Sequence, residues 1–306
     1  MKISVYITCY NKAKYIGEAI ESVLHQTLQP AEIIIVDDCS TDGSREIIKG
    51  FVSRYPEMIK HIFNENNYGI AKTRNIAISH CKGELITSVD GDDYFFPSKL
   101  KSELNVINNY SYNCVYSNHV FVDEFGDEIS FFAKKKEHPA EGDLFIENFT
   151  RSFNVSSHSN FHNEMFYKTN AVDVGLYDEN IRIWEDWDFR IRMSKKNRYG
   201  YCSKVNSAYR ISPTSLHNSG VGLHFREQIK IYKKNKFLIQ DLKKKEKSYL
   251  KNRVFAKIKG LFLQIMEKNK KDKYFFHSIY ISLHFIFAFK TRKSLLVALR
   301  ALKGKY

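Results

Sequence analysis

Three carboxylates fall close together in this sequence, at Asp90, Asp92 and Asp93, directly after the apolar run at residues 85–89. Carboxylates this close repel one another unless a cation neutralises them. Oxygen ligands suit a hard cation such as Mg²⁺ or Mn²⁺, and such an ion usually also holds substrate phosphate. An acidic surface turn is the alternative, because Asp-Gly is common turn chemistry. The segment taken alone favours neither interpretation.

A second acidic pair, Glu185 and Asp186, lies between the two tryptophans of the chain, Trp184 and Trp187. Aromatic neighbours exclude water from a carboxylate and raise its pKa, which suits a general base. A position in the first turn of a helix would instead favour the anion and lower the pKa, so the sequence leaves the direction open. Asp186 could also form an ordinary helical ion pair with Arg190. Without other observations the spacing favours that ion pair.

Two more polar segments could contact a nucleotide. Asp38 lies two residues after the apolar run at residues 33–36, and a carboxylate at the end of a strand can accept hydrogen bonds from a ribose or a base edge. Its neighbours Asp42 and Ser44 suit a helix cap, and we expect both roles in this segment. Arg74 lies in a helical segment that opens with a glycine, where its cation could face a diphosphate. A single cation on a helix is, however, more often simply solvated.

Regular elements must position these groups. In the first hundred residues apolar runs alternate with segments of helical spacing, which predicts an α/β fold with a mostly parallel central sheet and helices on both faces. The predicted strands are residues 3–8, 32–37, 59–64 and 84–89, and the predicted helices are residues 13–28, 44–55, 70–80 and 98–109. Right-handed crossovers place the loops after these strands at one edge of the sheet, so we expect the polar segments to meet in one cleft.

Charge is distributed unevenly along the 306 residues. Residues 225–306 carry 23 Lys and Arg against 5 Asp and Glu, whereas residues 1–224 carry 25 against 29. We therefore predict an enzyme-like domain at 1–224, with halves at 1–110 and 111–224, followed by a basic and mainly helical region at 225–306.

The cysteines and the apolar runs indicate where in the cell the protein would be found. Five widely spaced cysteines without a Cys-x-x-Cys pair indicate reduced thiols in a cytoplasmic protein. We expect no signal peptide, and no apolar run is long enough to span a bilayer. Lysines interleaved with apolar residues in 225–306 suit an anionic membrane surface, with a solvated helical hairpin as the alternative. No nucleic-acid motif is present. We predict peripheral attachment to the inner face of the cell membrane.

The order of the motifs resembles that of the family 2 glycosyltransferases of the GT-A fold. The matching segments are TCYN (8–11), VDDCSTDGS (36–44), NYG (67–69), KTRN (72–75), DGDD (90–93), VGLYDE (174–179), ED (185–186) and YR (209–210) with Ser215. Several motifs in a fixed order are far more specific than one alone. Thr73 departs mildly from the alanine that is common in the family, and residues 225–306 match no part of its pattern.

The resemblance implies inverting transfer of a sugar from a nucleotide diphosphate-sugar, with a UDP-hexose or UDP-N-acetylhexosamine as the default donor. The acceptor would be a glycan or a lipid-linked glycan, in the synthesis of a bacterial surface polysaccharide, lipooligosaccharide or glycoprotein glycan. Thr8, Tyr10 and Asp38 would hold the base and ribose. The remaining candidates for substrate contacts are Asn11, Arg74, Asp90, Trp184 and Glu185.

For catalysis, the resemblance assigns Asp186 as the base that takes the proton of the acceptor hydroxyl. Asp92 would bind Mn²⁺ or Mg²⁺ across the diphosphate, with Asp90 and Asp93 as further candidate ligands. His217 would close over the diphosphate or complete the metal shell. A catalytically inactive nucleotide-sugar-binding or scaffold protein of the same fold is the alternative. It is disfavoured because Asp92 and Asp186 are both present.

Overall fold

The structure, a computed structural model, describes residues 1–156, 161–211, 220–271 and 275–302. The chain divides into two compact units, Met1–Pro213 and Thr214–Tyr306. The boundary that we predicted at residue 224 falls inside a helix, Val221–Asn235.

Unit 1 (Met1–Pro213) is built on one mixed sheet. Its strands are β1 (Ile3–Cys9), β2 (Glu32–Asp37), β3 (Ile59–Phe63), β4 (Leu85–Asp90), β5 (Tyr94–Phe95), β6 (Cys114–Val122), β7 (Glu128–Phe131), β8 (Met165–Tyr167) and β9 (Tyr199–Arg210). Across the described residues the sheet has the order β3-β2-β1-β4-β8-β6-β9-β5, and β7 pairs with β6. The first four strands of this order are parallel, whereas β8 runs antiparallel to both β4 and β6.

The sheet of unit 1 is covered by helices on both faces. The helices are α1 (Ile16–Leu24), α2 (Ser44–Arg54), α3 (Ile70–His80), α4 (Lys99–Tyr110), α5 (Phe145–Thr150), α6 (Lys168–Asp173) and α7 (Glu185–Lys196). Buried residues of α1, α2 and α4 form one core with Val5 and Ile7 of β1. Buried residues of α3 and α7 form a second core with Tyr6, which points to the opposite face.

Strand β2 shows why this sequence forms such a sheet. All six of its residues are buried, and successive side chains alternate between the two cores. A strand that is apolar on both faces is stable only where helices cover both sides of the sheet. The predicted α/β fold is therefore confirmed. The prediction of a mostly parallel sheet holds for β1 to β4, while the second half is mixed because β8 is antiparallel to its neighbours.

Helix α1 begins at Ile16, later than predicted. The backbone N–H groups of Asn11 and Lys12 donate to the hydroxyls of Ser40 and Ser44. The N–H of Ala13 donates to Asp42 in the same way, at 2.9 Å. These bonds hold residues 11–13 outside the helix, because a backbone group bonded to a distant side chain is not available for a helical turn.

Close contact at Gly83 yields a prediction about stability. A Cβ atom added there would lie 2.6 Å from the backbone nitrogen of Ser4 and 2.8 Å from the carbonyl oxygen of Lys2. We expect Gly83→Ala to lower the free energy of unfolding by about 1–3 kcal/mol, because the backbone of β1 would have to move. Urea denaturation measures this change. The control is Gly50→Ala on α2, where a Cβ meets nothing within 4 Å. Equal effects of the two substitutions would contradict the prediction.

Unit 2 (Thr214–Tyr306) is helical in its described residues, as predicted for the C-terminal region. Its helices are α8 (Val221–Asn235), a 3₁₀ helix (Lys236–Ile239), α9 (Lys244–Lys271), α10 (Phe275–Phe289) and α11 (Arg292–Leu302). Stacked aromatic rings join them, with the centroids of Phe262 and Phe285 4.6 Å apart. None of the helices, within the residues described, combines the length and the apolar character needed to cross a membrane.

Candidate active site

The register of the parallel strands aligns the predicted donor-binding residues along one edge of the sheet. Thr8 of β1 lies beside Asp90 of β4, and Cys9 lies beside Asp37 of β2. The hydroxyl of Thr8 donates a hydrogen bond of 2.8 Å to Asp90. Ligands of open α/β sheets bind at this carboxyl edge. The structure thus places the polar segments that follow β1, β2 and β4 at neighbouring strand ends.

Arg74 of α3 joins the two acidic clusters that the sequence suggested. Its guanidinium donates to Glu185 at 2.6 Å and to both oxygens of Asp90 at 3.0 and 3.1 Å. Burial lowers the pKa of Arg74, but the attraction of Asp90 and Glu185 outweighs it and raises the pKa overall. The sequence suggested that Arg74 could face a diphosphate, and that contact stays a prediction. The hydrogen bonds of Arg74 fix Asp90 and Glu185 relative to each other.

Asp186 lies in the first turn of α7 and forms the ion pair that the spacing favoured. Its two carboxylate oxygens accept hydrogen bonds of 2.7 Å from Arg190 and from the backbone N–H of Trp187. Burial raises the pKa of Asp186, but attraction to Arg190 and Arg74 and the bond from Trp187 outweigh it, so the pKa is lowered. Because the side chain is still 19% exposed, the anion remains accessible.

Arg190, the partner of Asp186, is also anchored by a second carboxylate, that of Glu164. Its guanidinium also binds Glu164 with two bonds, of 2.8 and 3.0 Å. Two parallel bonds to one carboxylate fix a guanidinium more firmly than a single contact does. Arg190 therefore holds its place independently of Asp186, and it fixes the orientation of the Asp186 carboxylate.

Tyr209 of β9 links the strand-end aspartates to Asp186. Burial raises the pKa of the Tyr209 hydroxyl, and the negative charges of Asp93, Asp90, Asp92 and Asp186 raise it further. One hydroxyl therefore lies within electrostatic range of both acidic clusters. The hydrogen bonds of Arg74 to Asp90 and to Glu185 likewise place the two clusters within reach of one side chain.

Aromatic and cationic side chains form the surroundings of Asp186. The ring of His162 stacks on Tyr209 with centroids 4.4 Å apart, and the charge of His162 contributes to the lowered pKa of Asp186. Trp184 adopts φ 68°, a left-handed conformation that is uncommon for a bulky residue. The guanidinium carbon of Arg151 lies 4.0 Å from the centroid of its ring. Backbone strain of this kind is typical of functional sites.

Asp92 and Asp93 have different environments. The carboxylate of Asp92 is 18% exposed and accepts a 2.5 Å bond from Lys12. Asp93 is buried beneath it and accepts a 2.8 Å bond from the backbone N–H of Arg210. Burial and the charges of Asp92 and Asp90 raise the pKa of Asp93 well above its usual range. Asp92 is thus partly exposed to solvent, whereas Asp93 is buried.

The donor set at this edge fits a divalent ion bound mainly through its substrate. Among the residues that the structure describes, no three His, Cys, Asp or Glu side chains converge as a complete metal site. Mg²⁺ is commonly held by one or two carboxylates together with substrate phosphates, and Asp92 offers such a carboxylate. Both oxygens of Asp90 are bonded by Arg74. His217 lies outside the described residues.

Asp38 and Asn11 organise the loops at this edge. The buried carboxylate of Asp38 accepts bonds of 2.8 Å from the backbone N–H groups of Tyr68 and Gly69. Asn11 accepts a 2.8 Å bond from the N–H of Thr41. Tyr10, by contrast, is 47% exposed. Their contacts with a base or ribose stay a prediction.

Sequence reasoning missed the roles of Lys12 and Arg210. Lys12 neutralises Asp92, and Arg210 donates through Nε to the backbone oxygen of Asp92 and through Nη2 to Glu18. Arg210 was recognised in a family motif but was given no role. The only signal for Lys12 was a cation close to the end of the first predicted strand.

The buried pair of Arg74 and Glu185 yields a prediction about pH. Burial and the charges of Asp186 and Asp90 raise the pKa of Glu185 to about 7 against the opposing effect of Arg74. Since this value exceeds the ordinary 4.5, the contribution of Glu185 to stability is full below pH 4.5 and is lost as pH rises through about 7. The free energy of unfolding of the wild type should therefore fall between pH 4.5 and about 7. In Glu185→Gln, which cannot ionise at this position, we expect that fall to be smaller by up to ~3 kcal/mol.

Denaturant unfolding at several pH values measures the effect of Glu185→Gln. The control is Glu57→Gln, which removes an exposed carboxylate of unit 1 and should leave the pH dependence as it is in the wild type. Parallel curves of unfolding free energy against pH for the wild type and Glu185→Gln would show that Glu185 does not cause this pH dependence.

Comparison with known proteins shows which family this chain resembles. The sequence model described as Glycosyl transferase family 2 matches residues 4–214. EpsE of Bacillus subtilis (strain 168) is 36% identical over 126 residues, which are 41% of this chain and 45% of EpsE. The glycosyltransferase GlyG of Streptococcus pneumoniae serotype 4 is 36% identical over 130 residues, 42% of this chain and 43% of GlyG. The chain thus covers about half the length of these relatives.

Solved structures show the same fold. A crystal structure of residues 1–349 of S. aureus TarS in complex with UDP has a TM-score of 0.63 and 22% identity, and the match covers 84% of this chain and 70% of that one. The same TarS fragment in complex with UDP-GlcNAc has a TM-score of 0.62 and 20% identity, covering 100% of this chain and 93% of that one. With the family match over most of unit 1, these findings show that the chain belongs to glycosyl transferase family 2.

Proposed function

We propose that this chain transfers a sugar from a nucleotide diphosphate-sugar to a glycan or lipid-linked glycan acceptor, with inversion of the anomeric centre. The observation that carries the proposal is the network centred on Arg74. It bonds Asp90, at the strand edge where the donor would lie, and Glu185, which is adjacent to the proposed base Asp186. This network supports the proposal because it would hold the proposed donor site and the proposed base in one arrangement.

Asp186 would act as the base. The acceptor oxygen attacks the anomeric carbon, the bond from that carbon to the diphosphate oxygen breaks, and the proton of the hydroxyl passes to Asp186. The lowered pKa keeps Asp186 ionised before the reaction. A hydroxyl becomes strongly acidic as its oxygen forms the new bond, so a carboxylate of low basicity can accept the proton. One displacement inverts the anomeric centre without a protein nucleophile.

Asp92 would hold Mn²⁺ or Mg²⁺ together with the diphosphate of the donor. When bound, the ion supplies positive charge that stabilises the departing diphosphate. The Lys12 ammonium bonds Asp92 at 2.5 Å, so this carboxylate already interacts with a cationic group. Asp93 supports this position from below, since it anchors Arg210, which in turn bonds the backbone of Asp92.

UDP is the proposed nucleotide because the matching TarS fragment was crystallised with UDP and with UDP-GlcNAc. A UDP-hexose or a UDP-N-acetylhexosamine would then be the donor. For the acceptor we propose a bacterial surface polysaccharide, lipooligosaccharide or glycoprotein glycan, made at the inner face of the cell membrane. The basic composition of residues 225–306 supports peripheral attachment there, at a surface that is itself anionic.

Binding of nucleotide-sugars to the full chain tests the proposal. Titration calorimetry would compare UDP-, GDP-, dTDP- and CMP-sugars in Mn²⁺ and in excess EDTA. We expect a UDP-sugar to bind at least about tenfold more tightly in Mn²⁺, because an ion that bridges protein and diphosphate adds affinity by linkage. Failure of every nucleotide-sugar to bind in Mn²⁺ would contradict the proposal. Binding without any turnover would instead support an inactive nucleotide-sugar-binding protein.

A further inference from the structure

Five lysines of unit 2 surround one cavity. It has a volume of about 720 Å³ and is lined by residues of α8, the 3₁₀ helix, α9 and the C-terminal end of α10. The basic residues of this lysine pocket are Lys233, Lys236, Lys247, Lys251 and Lys290. Lysines far apart in the sequence therefore share one concave surface.

The lysine pocket concentrates positive charge around one cavity. In the described part of unit 2, no carboxylate forms an ion pair with any of the five lysines. Lys247 donates to the carbonyl oxygen of Gln240, a neutral group. Like charges gathered around one cavity repel one another, and a bound anion would remove that repulsion. An anion with more than one negative charge suits five ammonium groups better than a singly charged one.

Aromatic rings make the floor of the pocket rigid and apolar. Tyr232 and Phe289 both line it, and their rings stack with centroids 5.2 Å apart. Ile239 and Ala288 complete this floor and are buried. Lysine side chains lie along apolar surface with their ammonium groups at its edge. The pocket can thus present several ammonium groups to one ligand above apolar side chains.

Unit 2 also has exposed apolar side chains, one of which lines the pocket. Phe287 lines it and is 60% exposed, and Phe237, next to Lys236, is 59% exposed. Further exposed apolar residues on α10 and α11 are Tyr280, Leu283, Leu295, Leu296 and Leu299. A soluble phosphate would gain nothing from such groups, whereas a lipid offers an apolar region next to its charged head group.

We infer that the lysine pocket binds the phosphate-bearing head group of a membrane lipid, a phosphomonoester or a diphosphate, while Phe287 and the exposed side chains of α10 and α11 enter the apolar boundary of the bilayer. This inference rests on the peripheral attachment proposed above and names its ligand. It requires no sugar transfer, so binding alone can test it.

Cosedimentation of the full chain with lipid vesicles is the experiment. Phosphatidylcholine vesicles would contain either phosphatidic acid, a phosphomonoester, or phosphatidylglycerol, a phosphodiester, adjusted to equal surface charge. The pocket variant is Lys233→Gln/Lys236→Gln/Lys251→Gln. The control variant is Lys243→Gln/Lys244→Gln/Lys245→Gln, which removes the same charge from exposed lysines that do not line the cavity.

We expect tighter binding of the wild type to vesicles with phosphatidic acid. The pocket variant should bind these vesicles on the order of a hundredfold more weakly, and the control variant only a few-fold, because the contribution of a lysine depends on its closeness to the lipid charge. Equal losses in the two variants would overturn the inference and leave net charge as the explanation. Equal binding of the wild type to both kinds of vesicle would also overturn it.

Two further measurements separate the possible sources of phosphate and do not depend on the triple variant folding. Inorganic pyrophosphate should displace the wild type from vesicles with phosphatidic acid. Phe287→Ser should weaken binding to these vesicles about tenfold without weakening binding of pyrophosphate, since the lost contact is apolar. An unchanged affinity of Phe287→Ser for vesicles would exclude the lipid as the ligand. Asp186→Asn should bind vesicles as the wild type does, so failure of the proposed catalysis would remain distinguishable.

Discussion

Asp186→Asn is expected to lower the rate of sugar transfer by about 10²–10⁴-fold while donor binding is retained, since loss of a general base has an effect of this size. Asparagine keeps the size of the side chain and an oxygen that can accept the bond from the backbone N–H of Trp187. Arg190 stays anchored by its two bonds to Glu164, so the substitution leaves the buried network largely intact. The lost function is then proton transfer.

Release of UDP from the donor in the presence of acceptor, together with calorimetric titration of the donor, measures the two quantities separately. Asp173→Asn is the matched control, because Asp173 is an exposed aspartate at the end of α6. Its turnover should equal that of the wild type. Normal turnover of Asp186→Asn would show that another group takes the proton.

Asp92→Ala is expected to abolish the dependence of donor binding on the divalent ion. Asp92 is partly exposed, and Arg74 bonds the neighbouring Asp90 instead of Asp92. Alanine has no oxygen ligand to replace the carboxylate. We expect donor affinity in Mn²⁺ to fall to that measured in EDTA, and transfer to fall by at least about 10³-fold, because the charge of the departing diphosphate is then not neutralised.

The fold of Asp92→Ala should be retained, because Asp93 still anchors the backbone N–H of Arg210. Asp127→Ala provides the control, as it removes an exposed carboxylate from the same unit. It should bind the donor with unchanged dependence on Mn²⁺. A difference between Mn²⁺ and EDTA that survives in Asp92→Ala would place the metal ligand elsewhere.

Sequence patterns predicted the helices and strands best where nearby residues, not distant contacts, determine their bounds. The helix at Ile70–His80 has the predicted bounds, and α2 (Ser44–Arg54) ends one residue earlier than predicted. The start of α1 was predicted too early because residues 11–13 are bonded to the side chains of a distant loop, including Ser40. The antiparallel strand β8 was not predicted, since its three residues are placed by their partners β4 and β6.

The candidate site residues were chosen from residue types and from the resemblance. Their spacing in the sequence predicted the ion pair of Asp186 with Arg190 but not the pairings between distant residues. Arg74 and Glu185 are separated by 111 residues, so no spacing could indicate that they form an ion pair. The pairing of Lys12 with Asp92 depends in the same way on two loops meeting at one sheet edge. For Asp186, the sequence left open whether burial or a position in the first helical turn decides the direction of the pKa shift. In the structure the cations of Arg190, four residues along the same helix, and of the distant Arg74 lower the pKa.

Slow hydrolysis of the donor, with water in place of the acceptor, tests most directly whether Asp92 and Asp186 serve one inverting site. Proton NMR of the released sugar, recorded before its anomers equilibrate, gives the configuration at the anomeric carbon. The proposed single displacement predicts the anomer opposite to that of the donor, and loss of its formation in both Asp92→Ala and Asp186→Asn. Release of the sugar with the donor's own configuration would contradict the account.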